Sequence, residues 1–97
     1  MSNTDVSAKE YDMILVIGSG QDQAKFLWDA FRHKYSGRVR FLSRNEYMLD
    51  GYNPLTRKIL IVLLDGHSFN PITKSKAFQY LVNNGAEVVE EKVEEER

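Results

Sequence analysis

Two unbroken apolar runs constrain the fold of this chain more than any other feature: Met13-Ile14-Leu15-Val16-Ile17 and Ile59-Leu60-Ile61-Val62-Leu63-Leu64. A strand with one face in water alternates apolar and polar residues, so a continuous apolar run indicates a strand covered on both faces. Each run ends abruptly in small and polar residues, Gly18-Ser19-Gly20-Gln21 after the first and Asp65-Gly66-His67-Ser68 after the second. The pattern predicts a sheet between layers of helices, with a ligand site at the carboxyl ends of the central strands.

The remaining patterns complete an order of β-α-β-(short α)-β-α-β. Apolar residues at helical spacing predict a helix over 21–35, which Gly37 ends, and Asn70-Pro71 begins a second helix over 71–84. Ser43-Arg44-Asn45-Glu46 has the spacing of a capping box, as Ser19 with Asp22 does, and predicts a short helix that opens there, runs through Leu49 and is ended by Gly51. The predicted strands cover 12–18, 38–42, 58–65 and 86–93, although the valines in the last segment also fit a helical stripe.

Two folds share this order. A flavodoxin-like or Rossmann-like α/β sheet of order 2-1-3-4 is mainly parallel, with helices on both faces, whereas a ferredoxin-like α+β sheet of order 4-1-3-2 has one bare face. The second apolar run has no polar position from Ile59 to Leu64, which argues against a bare face. The connection over 43–57 also has about the dozen residues that a parallel crossover needs. Both observations favour the parallel α/β fold.

Length and composition bound the class of protein. The chain has 97 residues and no cysteine, so we expect one α/β domain over 11–93, without disulfides or thiolate metal sites. The segments 1–10 and 94–97 are predicted to be a disordered leader and a frayed acidic tail. There is no basic, apolar signal segment and no apolar stretch near the ~20 residues that span a bilayer, so a cytoplasmic protein without membrane contact is expected.

The net charge of −1 hides a basic middle between acidic ends. Residues 25–58 hold eight bases and three acids, and both flanking segments are net acidic. Tyrosines and Phe41 interleave with these bases, so a protein-interaction module over 35–58 is one function that the sequence allows. Single-stranded nucleic acid is a less favoured partner, because several of these rings are needed for the core of so small a domain.

The loop Gly18-Ser19-Gly20-Gln21 stands where a phosphate-binding loop belongs, after a strand and before a helix. Helix amides and the helix dipole favour an anion there. The dinucleotide fingerprint is incomplete, because Gln23 replaces the third glycine and Arg44 follows strand 2 where an acid would bind ribose. Arg44 could instead meet a phosphate, whereas Asp22 opposes an anion. Two glycines also suit any tight strand-to-helix turn.

The second candidate group is Asp65, Gly66, His67 and Ser68. An aspartate at the carboxyl end of a central strand is a common metal ligand or general acid/base, so a reduced metal-dependent enzyme centred on Asp65 is a further alternative. A simple turn in which Gly66 has positive φ explains the same residues. The sequence resembles no known family and implies no particular cofactor. The hypothesis it favours is a small non-catalytic binding or regulatory module for an anionic, phosphate-bearing ligand, held over the loops after strands 1 and 3.

Overall fold

A computed structural model describes residues 9–92 of the chain. Four strands and two α-helices make up the fold: β1 Lys9–Ile17, α1 Gln21–Trp28, β2 Tyr35–Leu42, β3 Ile59–Leu63, α2 Lys76–Asn83 and β4 Glu87–Glu90. Short 3₁₀ helices at Arg32–Lys34, Glu46–Leu49, His67–Phe69 and Pro71–Lys74 connect them.

The four strands form one parallel sheet in the order β2-β1-β3-β4. The predicted α/β fold and its strand order are therefore confirmed. The ferredoxin-like alternative is wrong, because β2 pairs with β1 in parallel and does not lie beside β3. The register pairs Val16 with Phe41 on one side and with Val62 on the other, so the two apolar runs are adjacent at the centre of the sheet.

Burial on both faces explains why the two runs have no polar residue. Alternate positions of β1 and β3 contribute to separate clusters, and every side chain from Ile14 to Ile17 is fully buried. Helix α1 packs on one face and helix α2 on the other, as the apolar runs predict. The α1 face contains Ile14, Val16, Ala24, Trp28, Leu60 and Val62, and the α2 face contains Leu15, Ile17, Ile59, Ile61, Phe78 and Leu81.

Helix α1 is shorter than predicted, ending at Trp28 rather than residue 35. The chain instead forms the 3₁₀ helix Arg32–Lys34 after α1 and enters β2 at Tyr35. The apolar stripe is nevertheless buried: Phe31 is in the core, and the Trp28 and Tyr35 rings stack with centroids 6.1 Å apart. The same side chains thus cover the same face of the sheet, but Tyr35 does so from a strand.

Gly37 lies inside β2, so the prediction that it ends a helix is wrong. Its φ is 155°, in a region that L side chains rarely adopt, and a Cβ atom there would overlap the carbonyl oxygen of Tyr11. The register between β1 and β2 shifts at this point, between Glu10 and Met13. The glycine is required because the two backbones approach closely at this irregularity.

The predicted helix over 71–84 is divided into two. Asn70 caps the 3₁₀ helix Pro71–Lys74, and the extended Ser75 then begins α2, where its hydroxyl accepts a hydrogen bond from the Phe78 amide at 3.1 Å. The short helix at Glu46–Leu49 is also 3₁₀, and Asn45 rather than the predicted Ser43 caps it.

The first and last strands also differ in length from the prediction. The segment over 86–93 is a strand, not a helix, and covers Glu87–Glu90. Lys9 and Glu10, which were expected in the disordered leader, pair with β2. The remainder of the predicted leader and the predicted tail over 94–97 lie outside the described residues.

Candidate functional site

The loops that follow β1, β2 and β3 meet at the carboxyl end of the sheet. The Arg44 guanidinium, in the loop after β2, has its Nη1 atom 3.5 Å from the carbonyl oxygen of Ser19. Gly66, in the loop after β3, has φ of 90°, and a Cβ there would lie 2.9 Å from the Ser19 side chain. Three of the predicted site residues, Ser19, Arg44 and Gly66, are therefore neighbours.

A buried asparagine, Asn70, connects the loops after β1 and β2 by hydrogen bonds. The Asn70 side chain is fully buried and donates from Nδ2 to the carbonyl oxygens of Gly18 at 3.0 Å and of Ser43 at 3.2 Å. Its Oδ1 accepts the Ile72 amide at 3.0 Å. The sequence indicates the last of these bonds through the Asn-Pro helix start. It contains no local signal for the other two, because their partners are distant along the chain.

The first turn of α1 has no side-chain cap. Gly20 is the N-cap residue, and the space beside its Cα is open. The predicted capping of this helix by Ser19 is wrong: the Ser19 hydroxyl and amide both donate to Gln23 Oε1, the amide at 2.9 Å. The side chain of Gln23, at the position of the missing third glycine, thus satisfies one loop amide. The amides at the start of α1 keep the donor capacity typical of a helix N-terminus.

Two of the predicted ligand-binding residues have structural contacts of their own. A Cβ at Gly18 would lie 3.2 Å from the Ala24 backbone, so a glycine here allows α1 to pack closely on the end of β1. The Gln21 side chain donates from Nε2 to the Phe41 carbonyl at 3.1 Å. Both residues hold α1 against the sheet.

The side chains after β3 are more dispersed. His67 Nε2 lies 3.2 Å from Glu90 Oε2, at the end of β4, whereas Asp65 and Ser68 are exposed. Within residues 9–92, no group of three His, Asp or Glu side chains is placed to hold a metal ion. The metal-dependent enzyme centred on Asp65 thus has no supporting ligand geometry in this part of the chain.

The side chains whose pKa values are shifted lie on the α1 face of the sheet rather than in these loops. The Tyr11 hydroxyl donates to Glu87 at 2.9 Å, and burial together with that carboxylate raises the pKa of Tyr11 to about 12. Tyr35 donates to Glu91, and burial and this bond raise the pKa of Tyr35 still further. Burial alone would raise the pKa of Glu91, but hydrogen bonds from Lys34 and Tyr35 lower it overall. The Tyr11 contact joins β4 to β1, and the contacts of Glu91, the residue after β4, join the end of β4 to the start of β2.

Comparisons with protein-family models, with curated proteins and with solved structures found no match for this chain. Within residues 9–92, no helix has both the length and the apolar character needed to cross a membrane.

Proposed function

We propose that this chain is a small binding module that holds an anionic, phosphate-bearing ligand at the carboxyl end of its sheet. The observation that carries the proposal is the position of Arg44 beside Ser19, next to an open Gly20 and an uncapped helix start. A positive side chain and helix amides at the same opening are the two elements that phosphate sites combine.

The expected binding mode follows from the donors around this opening. The amides at the start of α1 donate to phosphate oxygens, and the guanidinium of Arg44 neutralises charge and can donate twice. Gly20 leaves room for the ligand to reach the backbone. Asp65 and Ser68, after the end of β3, are exposed and available to contact the remainder of a larger ligand, and His67 would contact it on leaving Glu90. Asp22, in the first turn, opposes the anion and limits the affinity.

The test is a titration of the ¹⁵N-labelled protein with inorganic phosphate and with adenosine monophosphate, followed by amide chemical shifts. We expect the amides of residues 18–22 to shift. Arg44→Ala should weaken binding by ~1.5–3 kcal/mol, the range for a hydrogen bond to a charged group. Gly20→Val should abolish binding, because it fills the open space that the ligand must enter.

Two further variants make the test specific. Arg57→Ala removes an exposed arginine before β3, at the other end of the sheet, and should leave binding unchanged. Asp22→Asn removes the opposing charge and should tighten binding by about 0.3–1 kcal/mol. Phosphate compounds that leave the amides of residues 18–22 unmoved, or equal effects of the two arginine variants, would contradict the proposal.

A further inference from the structure

A groove of about 540 Å³ lies on the α1 face of the sheet, beside strand β2. Its floor is the β2 backbone at Gly37 with the half-buried side chains of Val39 and Phe41. Its wall is α1, which contributes Lys25 and Trp28, and Arg32 follows at one end. The groove is separate from the loops around Ser19 and Arg44, which it does not include.

Strand β2 is an edge of the sheet. Within residues 9–92 it pairs with β1 alone, and its eight residues form one of the two longest strands of the fold. An edge strand presents a row of unpaired backbone N–H and C=O groups that can pair with another extended chain. The Phe41 carbonyl is already bonded to Gln21, so pairing is expected over the part of β2 before Phe41.

The charges around this edge are mostly positive. Arg38 and Arg40 are exposed and alternate with the groove-facing residues, so they lie on the opposite face of β2, where Arg40 also donates from Nη1 to the Tyr52 hydroxyl at 2.8 Å. Lys25 and Arg32 border the groove itself, and the acid there, Asp29, lies 3.5 Å from Arg32. An added strand would therefore have an apolar surface and bases on the groove face, and two arginines on the other.

We propose that the β2 edge binds an extended peptide in which apolar and acidic residues alternate. The peptide would add a fifth strand beside β2 through main-chain hydrogen bonds. Its apolar side chains would lie in the groove against Val39 and Trp28, while its acidic side chains would face Arg38 and Arg40. This arrangement follows from the period of two in a strand, which directs successive side chains to opposite faces.

The same charges disfavour a second copy of the chain as the occupant. Antiparallel pairing of two β2 strands would bring the arginines of both copies together, and like charges on neighbouring strands are destabilising. Pairing with β4 of another copy is disfavoured because its two acids already have partners, Glu87 with Tyr11 and Glu90 with His67, and Glu91, which follows the strand, binds Lys34. A separate acidic peptide satisfies both constraints.

The test uses the full chain and an eight-residue peptide of alternating valine and glutamate, followed by ¹⁵N amide shifts and Trp28 fluorescence. We expect saturable shifts at residues 36–40 and a change in Trp28 emission. A peptide with the same composition in two blocks, valines first, should bind more weakly. Arg38→Glu should weaken binding of the alternating peptide about tenfold, since it replaces attraction by repulsion.

Arg57→Glu is the matched control, because it makes the same charge change at an exposed loop position away from the groove, and it should alter binding less than twofold. Thermal melting of each variant verifies that it is folded. Equal binding of both peptides, equal effects of the two variants, or shifts located elsewhere would overturn the proposal. So would tighter binding of an oligothymidylate, which would identify a nucleic-acid surface, or self-association through β2 in sedimentation measurements.

Discussion

At the scale of single residues, Glu91 has the most consequential electrostatic environment in the described chain. Its carboxylate lies 2.8 Å from the ammonium of Lys34 and also accepts the Tyr35 hydroxyl. Its side chain is 13% exposed, whereas that of Lys34 is 45% exposed, so the bond to Tyr35 is the better shielded of the two. The ionised carboxylate therefore stabilises the junction between β4 and the start of β2.

Glu91→Gln should lower the free energy of unfolding by about 1–2 kcal/mol at pH 7, because it removes a partly shielded ion pair and weakens the tyrosine bond. The folded-state pKa of Glu91 lies below its ordinary value of 4.5. The stabilisation is thus complete above that value and is lost as the pH falls through the lower, folded-state pKa. Urea unfolding of both proteins should show the difference at pH 7 and a smaller one at about pH 3.

Glu90→Gln provides the control for this pH dependence. Glu90 is the adjacent acid, but its side chain is 50% exposed and its contact is with His67. We expect its loss to change stability by less than 0.5 kcal/mol, as is usual for exposed positions. An equal loss for both variants, or a Glu91→Gln effect that persists undiminished in acid, would mean that the charge of Glu91 is not what stabilises the junction.

At the scale of elements, the burial of a strand or helix determines whether its position can be predicted from the sequence. The strands β1 and β3 could be predicted because each is covered on both faces, and that environment produces a continuous apolar run. The end of α1 could not be predicted from the sequence. Trp28 in the helix and Tyr35 in strand β2 pack on the same apolar cluster, so the helical spacing of apolar residues continues beyond the last residue of the helix. The approach of Arg44 to Ser19 follows from the strand order, whereas the Asn70 bonds join residues that no local pattern relates.

Gly37→Ala should test the close approach of β1 and β2. The substitution combines an unfavourable φ with overlap between the new methyl group and the Tyr11 carbonyl. We expect a loss of more than about 2 kcal/mol, since strain alone costs about 1–3 kcal/mol at such positions. Gly51→Ala is the matched control, because Gly51 has φ of 91° but open space around it, so it carries the strain without the overlap. Equal losses in chemical denaturation would show that β2 moves away from Tyr11 at little cost.

At the scale of the whole molecule, the sheet has two unlike edges. The β2 edge carries exposed arginines, whereas β4 carries acids that bind residues of other elements, Glu87 to Tyr11 and Glu90 to His67. The acids of β4 thus contribute to the closure of the fold, whereas of the two β2 arginines Arg38 is exposed and Arg40 donates to the Tyr52 hydroxyl. The segregation of charge visible in the sequence corresponds to this difference in role.

The unlike edges predict the result of removing β4. A chain ending at Asn84 would leave the Ile59–Leu63 strand as the new edge, and its entirely apolar sequence has no charge to prevent pairing with other chains. We therefore expect this truncated protein to form oligomers or aggregates at micromolar concentration in light-scattering and size-exclusion measurements. The double variant Glu87→Gln, Glu91→Gln of the 97-residue chain separates the causes, since it loses the acidic contacts but keeps β3 covered, and should be less stable without forming larger oligomers than the parent chain. A folded, monomeric truncation would show that β4 is dispensable as a cover for β3.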